Sequence, residues 1–201
     1  MGVVSVAQQM TAEDFIAAPE PGHGRPWNLV DGEVVVNEPT ITHRQAQDNI
    51  LFALQTWTRA AEGRGVAGSA ADIGLDERNV YAPDVMWHAS DHALTADAGP
   101  PYPMPDLAVE VRSPATWRFD LGAKKAGYER HGLRELWLVD TLARSVLVYR
   151  RSSRDGPGFD VALELTEGES LTSPALTGFV LAVSDVFWES GGAQRGAGQP
   201  E

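Results

Sequence analysis

Two carboxylates and a lysine stand in this sequence where they could carry out metal-assisted chemistry. Asp84 follows Pro83, Glu110 lies within the apolar run Leu107–Val111, and Lys124 comes in the stretch that follows. An ionised carboxylate flanked by apolar side chains costs several kcal/mol to desolvate unless a cation or hydrogen-bond donors meet it, so Glu110 requires a partner. Two acidic groups and a cation are what a Mg²⁺-assisted phosphodiester hydrolase needs to bind its metal ion and to position the attacking water.

The wider sequence carries a set of motifs that are weak singly and specific together. They are Leu29-Val30-Asp31-Gly32-Glu33, His43-Arg44-Gln45, Pro83-Asp84, the run from Pro105 to Val111 followed by Ser113-Pro114, Asp120-Leu121-Gly122 before Lys124 and Tyr128, and the run from Glu135 to Asp140. Over residues 11 to 188 they resemble the Uma family of restriction-endonuclease-like proteins, within the PD-(D/E)xK nuclease superfamily. The resemblance implies a restriction-endonuclease-like α/β fold, in which a mixed central β-sheet is flanked by α-helices.

The resemblance also implies that the protein is a Mg²⁺-dependent endonuclease, which hydrolyses phosphodiester bonds in nucleic acid. Mn²⁺ is expected to substitute for Mg²⁺. Asp84 would bind the metal ion through one oxygen, Glu110 would share the ion, and the backbone carbonyl of Val111 would be a third ligand. Lys124 would position the water or stabilise charge on the phosphate. In this family the lysine is displaced from the strand to the next helix, and here Arg112 stands two positions after Glu110.

The identity of the working cation stays open among Lys124, Lys125 and Arg112. A guanidinium does not readily lose a proton, so Arg112 could stabilise charge but could not act as a base. Helical spacing places Lys124 on the same face as Asp120 and Tyr128 and turns Lys125 by about 100° from it. The pair of Asp120 and Lys124 could instead be a surface salt bridge contributing about 0.2 to 0.5 kcal/mol. Tyr128 could orient a phosphate or only pack.

Several of these residues also have a purely structural explanation. Asp84 could cap a turn, and Glu110 could form a structural ion pair with a nearby arginine or lysine. Glu33 and His43 stand at a predicted hairpin and a predicted helix start, where such residues are common for structural reasons. The resemblance expects motif residues at both positions, since an acid near the first helix often completes the metal site in this superfamily.

Composition limits the organisation of the chain. With 201 residues and 43% hydrophobic content, we expect one domain over residues 11–188, a flexible N-terminus over 1–10 and a disordered Gly-rich tail over 189–201. The absence of cysteine excludes disulfides and thiolate metal ligands. Neither a signal peptide nor a run of about 18 apolar residues is found, so a cytoplasmic protein without a membrane partner is expected.

The formal net charge of -12 bears on the expected partner, because nucleic-acid binding draws most of its affinity from lysine and arginine. Six basic residues cluster between Arg112 and Arg134, which predicts weak, salt-sensitive binding of nucleic acid, with DNA the favoured form. Assembly as a homodimer stays open. Two competing functions remain: a catalytically silent nuclease-fold module for assembly or nucleic-acid binding, and a metal-dependent hydrolase of a small phosphorylated substrate.

The elements that must position these residues follow from turn and periodicity signals. Asp31-Gly32 predicts a hairpin turn, and a long helix is expected over 42–62 with Gly63 ending it. Strands are predicted over 65–75, 80–88, 106–112, 135–140, 145–150 and 159–165, and a helix over 116–131. Because this helix connects two strands, we expect a crossover connection and a partly parallel sheet.

Overall fold

The computed structural model describes residues 9–18, 27–92, 94 and 99–187. The predicted flexible N-terminus lies outside the described residues except for Gln9 and Met10, and the predicted tail over 189–201 lies outside them entirely. Met10 donates its backbone N–H to the carbonyl of Gly32 at 3.1 Å.

The described strands form a central sheet of six strands, a second sheet of four and a third of two. The strands are β1 (Trp27–Val30), β2 (Glu33–Val36), β3 (Val66–Ser69), β4 (Ile73–Asp76), β5 (Asn79–Tyr81), β6 (Val85–His88), β7 (Leu107–Val111), β8 (Glu135–Asp140), β9 (Ser145–Arg150), β10 (Val161–Thr166), β11 (Ser170–Leu171) and β12 (Leu181–Ala182). The central sheet has the order β10-β9-β8-β7-β6-β3, the second β2-β1-β5-β4, and the third β11-β12. Among the described strands of the central sheet, β7 and β8 alone pair in parallel, so this sheet is mixed as predicted.

The described helices are mostly short. They are α1 (Ala12–Ala17), α2 (Ile41–Arg59), α3 (Trp117–Phe119), a π-helical turn (Asp120–Lys124), α4 (Lys125–Arg130) and α5 (Val183–Val186), with a 3₁₀ turn at Ser90–His92. The long helix α2 begins where the Thr40 hydroxyl accepts the backbone N–H of His43 at 3.1 Å, a typical N-cap. In the part of the chain that the structure describes, no helix is long and apolar enough to cross a bilayer.

The alternation of side chains along β7 decides which residues face which side of the central sheet. Val109 and Val111 pack into the cluster that contains the buried α2 residues Ile50 and Leu54, whereas Ala108 packs into the cluster that contains Tyr128 of α4. Because successive strand residues point to opposite faces, Glu110 shares the face of Ala108. The carboxylate of Glu110 is therefore directed at the helical segment that connects β7 to β8.

Two of the predicted strands are wrong in their extent. The predicted strand over 80–88 is divided at Pro83, and its first part pairs in the second sheet while its second part pairs in the central sheet. The predicted strand over 65–75 is likewise two strands, β3 and β4, in different sheets. Proline cannot donate to a β-ladder, which ends the pairing of β5 at that point. The division leaves Asp84 directly before β6.

The connection between β7 and β8 is helical, as predicted, but it is not one regular helix. Residues Asp120–Lys124 form a π-helical turn between α3 and α4. A π-bulge inserts a residue into the helical repeat and is frequent at functional sites. Here it brings Asp120 and Lys124 to the buried side of the connection.

Candidate active site

Glu110 is the centre of a buried polar cluster beside the central sheet. Its side chain lies in the middle of the paired strand β7, and the residue is 4% exposed. The Nζ atom of Lys124 lies 2.7 Å from Glu110 Oε1, and the hydroxyl of Tyr128 donates to the same oxygen at 2.7 Å. The partner that the sequence required for Glu110 is therefore a lysine and a phenol, both from the following helical segment.

Lys124 is held between two carboxylates. Besides its contact with Glu110, its Nζ atom lies 3.2 Å from Asp120 Oδ1, and it sits 5.7 Å from the ring centre of Tyr81. Both Lys124 and Asp120 are buried. The interpretation of Asp120 and Lys124 as a surface salt bridge is therefore wrong, because the π-helical turn directs both side chains into the protein rather than to solvent.

Asp84 lies at the neighbouring strand end. Its Oδ2 atom accepts the backbone N–H of Val111 at 2.7 Å and lies 3.3 Å from His43 Nε2. The side chain of Gln47, one turn further along α2, donates to the backbone carbonyl of Asp84 at 2.9 Å. Asp84 and His43 are both buried, so the start of α2 and the start of β6 are tied together beside the end of β7.

Burial and mutual charge shift the ionisation of the cluster. Burial raises the pKa of Glu110 to about 8, against the opposing effect of Lys124, and the charges of Asp120 and Asp84 add to the rise. Burial also raises the pKa of Asp120, although Lys124 and Thr116 oppose it. For Lys124, burial alone would lower the pKa, but the carboxylates of Glu110 and Asp120 outweigh it and hold the pKa above its ordinary value.

The charges of the cluster fit a divalent metal ion. Three carboxylates are buried here, those of Asp84, Glu110 and Asp120, and the ammonium group of Lys124 contacts the latter two. The hydrogen bonds and ion pairs of the Asp84 and Glu110 carboxylates are made through Asp84 Oδ2 and Glu110 Oε1. No group of three or more His, Asp or Glu side chains in residues 9–18, 27–92, 94 and 99–187 could hold a metal ion. Two carboxylates with backbone and water ligands match the preference of Mg²⁺, which keeps several waters.

The other two candidate cations do not contact Glu110. Arg112 Nη1 lies 2.7 Å from Asp140 Oδ2, and its guanidinium stacks on Trp117 at 5.4 Å from the ring centre. Lys125 points elsewhere, with Nζ 4.5 Å from the ring centre of Tyr149. The side chain two residues after Glu110 would emerge on the same face of a regular strand, but β7 ends at Val111 and the Arg112 side chain pairs with Asp140 instead.

Glu33, the acid expected near the first helix, is exposed at the start of β2. No hydrogen bond or ion pair among the described residues joins it to the cluster. His43, by contrast, is buried against Asp84, and its Nε2 atom also lies 3.5 Å from Asn37 Nδ2. Of Glu33 and His43, the structure therefore brings His43 to the site and leaves Glu33 outside it.

Two residues of the cluster have no counterpart among the predicted site residues. The hydroxyl of Thr116 donates to Asp120 Oδ2 at 3.0 Å, and a hydrogen bond of 2.8 Å joins the hydroxyls of Ser113 and Thr116. All three residues are buried. Their spacing is the available signal, because Ser113 stands three positions before Thr116 and Thr116 four positions before Asp120, and such spacings at a helix start are typical of local side-chain hydrogen bonds.

A surface cavity opens beside the strand and helix ends that carry Asp84, His43 and Val111. Its volume is about 510 Å³. The lining residues come from the N-cap of α2, the segment after β7 and the turn after β8: Thr40, Thr42, Arg112, Pro114, Thr141 and Leu142. Arg112 is the cation that faces this cavity.

The arrangement defines a class of protein. The mixed central sheet, with a helical connection between its two parallel strands, is that of a restriction-endonuclease-like α/β protein. The chain belongs to the Uma2 family, described as "Putative restriction endonuclease", whose model matches residues 12–184.

A solved structure supports the fold. The chain is similar to a protein from Anabaena variabilis ATCC 29413 described as a putative nuclease belonging to DUF820, with a TM-score of 0.70 and 15% sequence identity. The similarity covers 89% of this chain and 97% of the Anabaena chain. No curated protein sequence matches this chain. The restriction-endonuclease-like α/β fold implied by the sequence motifs is thereby confirmed.

Proposed function

We propose that this protein is a metal-dependent endonuclease that hydrolyses phosphodiester bonds in nucleic acid, with Mg²⁺ as its ion and Mn²⁺ as a substitute. One observation carries the proposal. Asp84 directly precedes β6 and Glu110 lies on the neighbouring strand β7, and each carboxylate is bound by protein through one oxygen, Oδ2 of Asp84 and Oε1 of Glu110. Burial disfavours the charged form of these carboxylates, and a bound divalent ion would compensate for that charge.

The metal ion would be held by Asp84 Oδ1, by Glu110 Oε2 and by the backbone carbonyl of Val111. The N–H of Val111 faces Asp84. Because the N–H and C=O of one strand residue point to the same edge, the carbonyl of Val111 is directed to this side as well. When bound, a divalent ion supplies an activated water and neutralises charge on the scissile phosphate.

Lys124 would act as a permanent positive charge rather than as a base. Its neighbouring carboxylates keep its pKa above the ordinary value, so the ammonium stays protonated at neutral pH. Its N–H groups would orient the attacking water or stabilise the charge that develops on the phosphate oxygens. Tyr128 would fix Glu110 by donating to Oε1, which leaves Oε2 directed at the metal ion.

Nucleic acid would approach over the cavity lined by Arg112. Much of the basic stretch is already compensated in the folded protein, since Arg112 pairs with Asp140 and Arg134 Nη1 lies 3.3 Å from Asp106 Oδ1. Arg118 and Arg130 are exposed and remain accessible to phosphates. Together with the net charge of -12, this supports weak and salt-sensitive binding.

The test is cleavage of supercoiled plasmid DNA and of single-stranded DNA and RNA, with Mg²⁺, with Mn²⁺ and with EDTA. We expect cleavage that requires a divalent ion and is abolished by Asp84→Asn and by Glu110→Gln. Metal binding without cleavage of any nucleic acid, but with hydrolysis of a small phosphodiester, would favour the small-substrate hydrolase. Failure of the wild-type protein to bind either ion would favour the catalytically silent module.

A further inference from the structure

Lys124 contacts more carboxylates than one ion pair requires. Its ammonium contacts Glu110 Oε1 at 2.7 Å and Asp120 Oδ1 at 3.2 Å, and all three residues are nearly inaccessible to solvent. If Glu110 were only a structural partner of Lys124, the second carboxylate would add buried charge without adding a needed contact. Burying an additional charge is unfavourable, so the presence of Asp120 calls for a separate explanation.

Asp120 is held in place independently of Lys124. Its Oδ2 atom accepts the hydroxyl of Thr116, which is itself hydrogen-bonded to the hydroxyl of Ser113. Its backbone N–H bonds the carbonyl of Thr116 at 3.1 Å, at the first residue of the π-helical turn. One oxygen of Asp120 is therefore fixed by this buried chain of hydroxyls, and the other faces Lys124.

The two partners of Lys124 differ in their relation to the metal site. Glu110 is shared between Lys124 and the proposed metal ion, whereas Asp120 contacts Lys124 and Thr116 and neither of the strand-end groups Asp84 and Val111. When Glu110 coordinates a divalent ion, part of its negative charge is neutralised by that ion. Glu110 then neutralises less of the positive charge of the Lys124 ammonium group. A buried lysine left with too little opposite charge next to a divalent cation would repel it.

We propose that Asp120 is a positioning residue that holds Lys124 in the site while Glu110 serves as a metal ligand, so that the metal ion and the ammonium can be bound together. The proposal rests on the proposed function, because it needs the metal ion at Asp84 and Glu110. In its simplest form it states that Asp120 affects metal binding only through Lys124.

A double-mutant cycle read by calorimetric titration with Mn²⁺ alone, without nucleic acid, tests this directly. The proteins are wild type, Asp120→Asn, Lys124→Met and the double variant, with Glu110→Gln as the reference for loss of a ligand. We expect Asp120→Asn to weaken Mn²⁺ affinity by about tenfold or more, since an uncompensated buried ammonium repels the ion. Lys124→Met should bind Mn²⁺ at least as tightly as wild type, and the double variant should match Lys124→Met within about twofold.

The outcomes separate this inference from the proposed function. Equal Mn²⁺ affinity of Asp120→Asn and wild type, with Glu110→Gln impaired, refutes the role of Asp120 and leaves the metal site standing. A double variant much weaker than Lys124→Met shows that Asp120 is itself a ligand, which also refutes the proposal. If Asp120→Asn does not fold, Asp120→Ser takes its place in the cycle with the same expected and contradicting results. Absence of Mn²⁺ binding by wild type refutes both proposals.

Discussion

The carboxylate of Asp84 accepts the backbone N–H of Val111 at 2.7 Å, and this one hydrogen bond joins the start of β6 to the end of β7. The regular pairing of these strands covers Val85 to Trp87 opposite Leu107 to Val109 and does not extend to Val111. The side chain of Asp84 therefore takes the place of a ladder partner. A residue proposed to bind metal also extends the contact between two inner strands of the central sheet.

Asp84→Ala should consequently destabilise the fold as well as abolish activity. The change leaves the buried N–H of Val111 without its acceptor, and an unsatisfied buried donor costs about 1 to 3 kcal/mol. Asp84→Asn retains a side-chain oxygen and should lose activity with a smaller loss of stability. Urea unfolding of the three proteins in metal-free buffer measures the difference. Equal stability of Asp84→Ala and wild type would show that the hydrogen bond contributes nothing.

The stability of the metal-free protein should fall as pH rises towards 8. Glu110 has its pKa raised from 4.5 to about 8 in the folded state, so between these values the folded protein binds more protons at this site than the unfolded chain. Stability decreases with pH wherever the folded state binds more protons. The unfolding free energy of Glu110→Gln, measured from pH 5 to 8, should therefore show a less negative slope than that of wild type. Parallel slopes would contradict a protonated Glu110.

Lys124→Ala and Lys125→Ala form a matched pair on consecutive residues. Lys124 contacts Glu110, whereas Lys125 packs on aromatic rings away from it. Loss of a charge that stabilises the transition state costs about 10² to 10³ in rate, so Lys124→Ala should lose most activity. Lys125→Ala should keep activity near that of wild type in the same plasmid assay. If Lys125→Ala loses activity and Lys124→Ala keeps it, Lys125 rather than Lys124 is the working cation.

Binding of nucleic acid should depend only modestly on salt. For a footprint of about three to five phosphates on duplex DNA, log affinity falls with log salt with a slope of roughly 0.9 per phosphate neutralised. The measurement uses Glu110→Gln, which we expect not to cleave, and compares it with the same protein carrying Arg112→Ala. Removal of Arg112 should reduce the slope by about one if it contacts a phosphate. A slope on the order of ten would require an extensive basic groove.

Two glycines of the helical connection should respond oppositely to alanine. A Cβ atom at Gly127 would lie 2.4 Å from the hydroxyl of Tyr81, which packs edge-on against Tyr128, whereas a Cβ atom at Gly122 would meet nothing within 4 Å. Gly127→Ala should destabilise the protein by about 1 to 3 kcal/mol through overpacking. Gly122→Ala should be neutral or stabilising by up to about 1 kcal/mol. Thermal unfolding of both variants checks the contrast.

Local chemistry made several elements predictable from the sequence. The hairpin turn at Asp31 and Gly32 forms because both residues adopt positive φ, 51° and 82°, as an Asp-Gly pair favours. The strand around Glu110 and the parallel crossover to β8 follow from an apolar run, a helical segment and a second apolar run. In each case the deciding interactions lie within a few residues of one another.

Part of the candidate site could also be predicted from the sequence. A glutamate inside an apolar strand demands a cation, and the helical spacing of Asp120, Lys124 and Tyr128 places all three on one face. That Lys124 and Tyr128 both meet Glu110 Oε1 is consistent with this spacing. The assignment of these residues as catalytic remains a prediction for the cleavage assays.

Only the tertiary structure decided the remaining features, because they depend on partners distant in sequence. The division of the predicted strand at Pro83 results from pairing with β1 on one side and with β3 and β7 on the other. Arg112 was a candidate partner of Glu110, but it pairs with Asp140, which arrives through the parallel strand β8. Sequence periodicity specifies which residues share a face of one element, whereas the partner that this face meets is set by the packing of the whole chain.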